Sequence, residues 1–121
     1  MQKLIDLLSQ PPASFVWSSS ADGKRTMGTS EGLALDLWPD RIEAAALFPP
    51  DRADLAARNG TLLQLILLAM RPDWNSASSW LALQMRRAAR TTKPFEEVNV
   101  TRRVRFVWDR TQSRATLKVL K

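Results

Sequence analysis

The sequence predicts an α+β fold: a single domain over residues 1–121 in which an antiparallel sheet packs against a helical pair at 61–90. Three observations predict it. Residues 61–70, TLLQLILLAM, hold eight apolar residues and only Gln64 as a polar side chain after Thr61, so this segment is stable only with nearly every face covered. Residues 76–90 turn amphipathic, with Ala77, Trp80, Leu81, Met85, Ala88 and Ala89 on one side and Arg86, Arg87 and Arg90 on the other. On both flanks the apolar residues alternate with the period of two that belongs to strands, giving an N-terminal meander and a C-terminal hairpin.

Taken in order, Leu4, Ile5, Leu7 and Leu8 fall at helical spacing and Pro11-Pro12 ends that helix, because proline cannot continue the hydrogen-bond ladder. Residues 13–20 (ASFVWSSS) are rich in strand formers, and Ala21-Asp22-Gly23 turns the chain into a second strand over 24–30. Leu33, Leu35 and Leu37 alternate as a third strand, which Pro39-Asp40 closes. In 41–48 (RIEAAALF), Ile42, Ala44, Ala46 and Phe48 alternate while the alanines favour a helix; the reading adopted is a strand hairpinned to the leucine strand.

After Pro49-Pro50, Asp51 is placed to cap a short helix ending at Asn59-Gly60, and Thr61 with Gln64 forms a capping-box pattern for the next helix, which stops at Pro72. Asp73, Asn75 or Ser76 caps the amphipathic helix, with Trp74 as a hydrophobic staple. Val98, Val100, Val104, Phe106 and Trp108 then share the inner face of one long strand, with Arg102 breaking the pattern as a bulge, an edge or a snorkelling side chain. A loop over 109–113 returns the chain as a last strand with Ala115, Leu117 and Val119 inward and Thr116, Lys118 and Leu120 outward.

Composition excludes whole classes of chemistry. The chain has no cysteine and no histidine, which removes disulfides, thiolate and imidazole metal sites, and every Ser-His or Cys-His arrangement. Scattered carboxylates such as Asp51, Asp54, Glu96 and Glu97 read as helix-terminal or solvated charges, so no metal and no cofactor is expected. The four glycines match neither a P-loop nor a dinucleotide fingerprint, and neither a G-x-x-G clamp nor an RNP1 motif occurs. The expectation is a protein that is not an enzyme. Its longest apolar runs fall short of a membrane span, and no secretory pattern opens it, so a cytoplasmic location is expected.

Charge is the functional handle. The net +6 is divided unevenly: residues 1–85 carry seven basic and nine acidic side chains, whereas residues 86–121 carry eleven basic and three acidic. Thirteen of the eighteen cations are arginine, whose planar fork suits bidentate phosphate or carboxylate contacts. The candidate site is therefore a basic strip of Arg103, Arg105, Arg114 and Lys118 on the C-terminal ribbon, extended from the helix by Arg86, Arg87 and Arg90. It points first to nucleic acid as partner, DNA or RNA, and second to protein interaction or assembly, in which the same arginines face an acidic protein or the chain forms a homodimer through a sheet edge. Phe106 and Trp108 alternate away from Arg105 and are expected in the core; Trp38 and Trp74, beside turns, are the tryptophans expected at the surface.

Overall fold

The computed structural model describes residues 2–121, and the architecture is α+β: one seven-stranded antiparallel sheet with three helices on a single face. Helix α1 (Gln2–Ser9) precedes β1 (Val16–Ser19), β2 (Thr26–Ser30), β3 (Leu33–Leu37) and β4 (Arg41–Leu47), a meander of four strands. Helices α2 (Ala53–Met70) and α3 (Ala77–Arg90) come next, and β5 (Phe95–Asn99), β6 (Val104–Asp109) and β7 (Arg114–Leu120) form a second meander. The two meanders join through β4 and β7, so the strand order is β1-β2-β3-β4-β7-β6-β5.

Alternation decides the two faces. Leu33, Leu35 and Leu37, Ile42, Ala44 and Ala46, Val104, Phe106 and Trp108, and Ala115, Leu117 and Val119 are all buried beneath the helices. Helix α2 supplies Leu62, Leu63, Ile66 and Leu67 to the same core, α3 supplies Ala77 and Leu81, and α1 supplies Leu4 and Leu8. Each fully buried Leu, Ile or Phe contributes roughly 1.5–3 kcal/mol, so this one cluster holds both meanders to the helices. Residues 41–47 are a strand: the pairing of Ile42 with Leu37 and with Val119 on either side outweighs the helix preference of the alanines.

Four expectations about caps and element boundaries are corrected, and so is the surface position expected of Trp74, which is buried. Asn59-Gly60 does not end a helix; α2 runs unbroken from Ala53 to Met70, because the Asn59 side chain is spent on tertiary partners and Gly60 lies buried against Met85 and Phe48. Neither Asp51 nor the Thr61–Gln64 box caps anything: the residue before α2 is Arg52, with no side-chain cap, and the Thr61 hydroxyl donates to the Ala57 carbonyl in mid-helix. None of Asp73, Asn75 and Ser76 caps α3; its N-terminal flanking residue is Ser76, which makes no side-chain cap bond. The long strand at 98–108 is a hairpin, in which the Asn99 carboxamide accepts the Arg102 backbone N–H at 3.0 Å and Arg103 turns the chain at φ 58°.

The turn also reverses the face that the valines before it take. Val98 pairs with Arg105, and so belongs to the outer face instead of the core; it and Val100 are exposed, Val100 to 81%. Trp74 is buried, tilted against Trp80 at 5.5 Å between ring centroids, and Arg102 lies over it. Phe106 and Trp108 sit in the core, as alternation predicts.

Candidate anion-binding surface

The face of the sheet away from the helices carries no covering element among the described residues, and the register lines its side chains into cross-strand rows. One row reads Asp36, Glu43, Lys118, Arg105, Val98 across β3, β4, β7, β6 and β5. The next reads Ala34, Ala45, Thr116, Val107, Glu96, with short side chains on β3, β4 and β7. Neighbouring strands thereby deliver carboxylates to the basic ribbon. Arg105 meets Glu96 at 3.2 Å, Lys118 meets Glu43 at 3.7 Å, and Arg114 meets Asp109 at 3.7 Å. At the β3 side, Trp38 is half-buried and the guanidiniums of Arg25 and Arg41 stack on its ring, 5.0 and 3.9 Å from the centroid.

The seven candidate cations do not form one strip. Arg105, Arg114 and Lys118 lie on the outer face and Arg103 at its end, whereas Arg86, Arg87 and Arg90 belong to α3, in the helix layer on the other side. Arg87 turns back to the sheet, where it pairs with Glu97 at 3.3 Å and stacks over Phe95 at 4.2 Å. Glu97 is opposite Phe106 in register and so faces the helices. Arg86 and Arg90 remain exposed along a shallow groove that also includes Gln84 and Thr91.

Charge without a counter-charge collects at one end of the sheet. Arg71, where α2 stops, donates from Nε to the Arg102 carbonyl at 2.8 Å, from Nη1 to the Met70 carbonyl at 2.9 Å, and from Nη2 to the Leu120 carbonyl. It ties the end of α2, the β5–β6 turn and the end of β7 into one corner. Burial, and after it the positive charges of Arg103 and Arg102, push the Arg71 guanidinium down from its ordinary range. No carboxylate comes within ion-pair distance of Arg71, Arg102 or Arg103 among the described residues. Arg103 then opens onto a groove of about 280 Å³ shared with Arg105, Lys118, Val98, Val100 and Leu120.

Arg71 and Arg102 are the members of this corner that the candidate strip omits. Their signal in the sequence is faint: an arginine at the last turn of a helix before Pro72, and the Arg102-Arg103 pair. No helix among the described residues is long and apolar enough to cross a membrane. No family model matches this chain, and neither a curated protein nor a solved structure matches it.

Proposed function

We propose that this chain is a non-enzymatic nucleic-acid-binding module that receives a phosphate backbone at the end of its open sheet face, through Arg103, Arg105 and Lys118. The observation that carries the reading is the arginine corner: Arg71, Arg102 and Arg103 gather with no carboxylate in ion-pair range among the described residues, and Arg71 is partly buried there on backbone carbonyls of the β5–β6 turn and β7. Like charges held together cost stability, and an anionic ligand relieves that cost. The ion pairs on Arg105 and Lys118 are no obstacle. Their side chains are between a third and a half exposed, and such surface pairs are worth about 0–1 kcal/mol, less than a charge-assisted bond to phosphate. Arg86, Arg87 and Arg90 belong to α3 on the other side of the sheet, and Arg114 lies on the open face but four residues along β7 from Lys118, away from the corner, so these four are left as secondary contacts.

The test is a titration of labelled single- and double-stranded DNA and RNA at several salt concentrations. Three phosphates neutralised on a single strand give a slope of about −2 in log affinity against log salt. Arg103→Glu with Arg105→Glu should abolish binding while leaving the urea midpoint in place. Undiminished binding by that variant, or none by the natural chain at low salt, overturns the reading.

One observation favours a second reading, association of two copies through the open face. The row Asp36, Glu43, Lys118, Arg105 runs negative, negative, positive, positive about the boundary between β4 and β7. A two-fold axis along that boundary sets Asp36 against the second copy's arginine and Glu43 against its lysine, a self-complementary pattern.

A further inference from the structure

Between the start of α2, the end of α3 and the sheet lies a cavity of about 810 Å³. Its origin is the run of short side chains there. Ala53 and Ala56 on α2, Ala88 and Ala89 on α3 and Ala115 on β7 do not reach across, and Pro49-Pro50 carry the chain around the opening. Phe48 and Met85 make its apolar walls with the edge of Trp108, Phe106 lying fully buried behind them, while exposed Arg110 and Thr111 stand where it meets solvent. Packed interiors rarely hold voids larger than a water molecule, whereas small-molecule sites occupy about 300–1,000 Å³ and combine apolar walls with a few polar groups.

Two polar groups at this cavity lack partners. Trp108 is 7% exposed, and its indole N–H meets no acceptor in the structure. Buried tryptophans ordinarily find one, as Trp17 does by donating to the Ser9 hydroxyl at 2.9 Å. Arg110, beside the opening, makes no ion pair among the described residues. The Trp108 N–H itself is occluded, so what the cavity offers a ligand is its apolar lining and the Arg110 guanidinium at the mouth, a pairing that matches an amphipathic acid.

We propose that this cavity binds a medium-chain aliphatic carboxylic acid, with the chain along Phe48, Met85 and the alanines of α2 and α3, over the Trp108 ring, and the carboxylate at Arg110. The site lies on the helix side of the sheet, so it stands or falls independently of nucleic-acid binding on the open face.

The probe is decanoate, followed through the indole N–H resonances of the ¹⁵N-labelled full chain, with decan-1-ol as the uncharged comparison. The expected result is a saturable shift of the Trp108 resonance, identified by its loss in Trp108→Phe, with the Trp17 resonance unmoved. Ala56→Phe fills the cavity and should remove the shift for both probes; Ala89→Leu, at an exposed lining position, does the same if the first variant does not fold. Arg110→Gln should weaken decanoate about tenfold, the scale of one charge-assisted hydrogen bond, and leave decan-1-ol unchanged. No Trp108 shift at any concentration below micelle formation, or a shift that survives both filling variants, overturns the site. Equal affinity for decanoate before and after Arg110→Gln overturns the assignment of an acid.

Discussion

Asn59 is fully buried in the middle of α2, and it shows how one polar side chain can overrule a local signal. Its Nδ2 donates to the Leu47 carbonyl at 2.9 Å and to the Gly32 carbonyl at 3.2 Å, while its Oδ1 accepts from Arg58 at 3.0 Å. Arg58 in turn donates to the backbone carbonyls of Glu31 and Ala13 and to the Ser30 hydroxyl. The two residues therefore nail the first half of α2 to the β2–β3 turn and to the end of β4. Asn59→Leu removes the donor without removing the need for one, because the Leu47 carbonyl would then face an alkyl group. The expected loss is about 2–3 kcal/mol, read as a lower urea midpoint at unchanged m-value. Asn59→Asp should lose a similar amount despite gaining a charge partner in Arg58, since a carboxylate cannot donate to either carbonyl.

At the scale of elements, the continuity of α2 makes its own prediction. Gly60 sits in a helix interior, where glycine costs roughly 0.5–1 kcal/mol relative to alanine. A Cβ there would stand 3.4 Å from Met85 Sδ and 3.6 Å from Phe48 Cε1, both ordinary contacts. Gly60→Ala should therefore stabilise the protein by about that amount, seen as a rise of a few degrees in Tm. Had Gly60 closed a helix in a left-handed conformation, the same change would destabilise it, so the sign separates the two structures. Strands 33–37, 41–47 and 114–120, and helices α1 and α3, were legible because their periodicity is local. The join at 59–60 and the turn at 100–103 were not, because Asn-Gly carries a cap signal whose override comes from Leu47 and Gly32, and because Val98 to Trp108 keeps its alternation across the bend. Trp74 misled for a similar reason: a turn neighbour is buried here by Trp80, a partner on the next helix. The candidate site was legible in residue type and not in geometry. The sequence order of arginines does not reveal that Glu96, Glu43 and Asp109 stand beside them, nor that the sheet separates α3 from the ribbon.

At the scale of the whole molecule, one unclothed sheet face must answer for both proposed partners, and the row through Glu43 and Lys118 distinguishes them. For a polyanion, every added positive charge on this face helps: Glu43→Lys should tighten nucleic-acid binding and Lys118→Glu should weaken it, each by a factor that shrinks with salt. For a two-fold dimer, either single change sets like charges against each other across the interface, and both weaken association. Combining them restores the pattern in mirrored order, positive beside negative once more, so Glu43→Lys with Lys118→Glu should recover the dimer. The band of Ala34, Ala45 and Thr116 beside this row lets a second sheet approach to the usual ~10 Å, and Ala45→Arg should block that approach whatever the charges do. Sedimentation of the natural chain and these variants over a range of concentrations measures the one property, and the oligonucleotide titration measures the other. A Glu43→Lys chain that stays monomeric and binds nucleic acid more tightly supports the phosphate reading. A chain whose dimer is lost in each single variant and regained in the double one places the open face inside an assembly, where the arginine corner at 71, 102 and 103 would be the part left free to meet an anion.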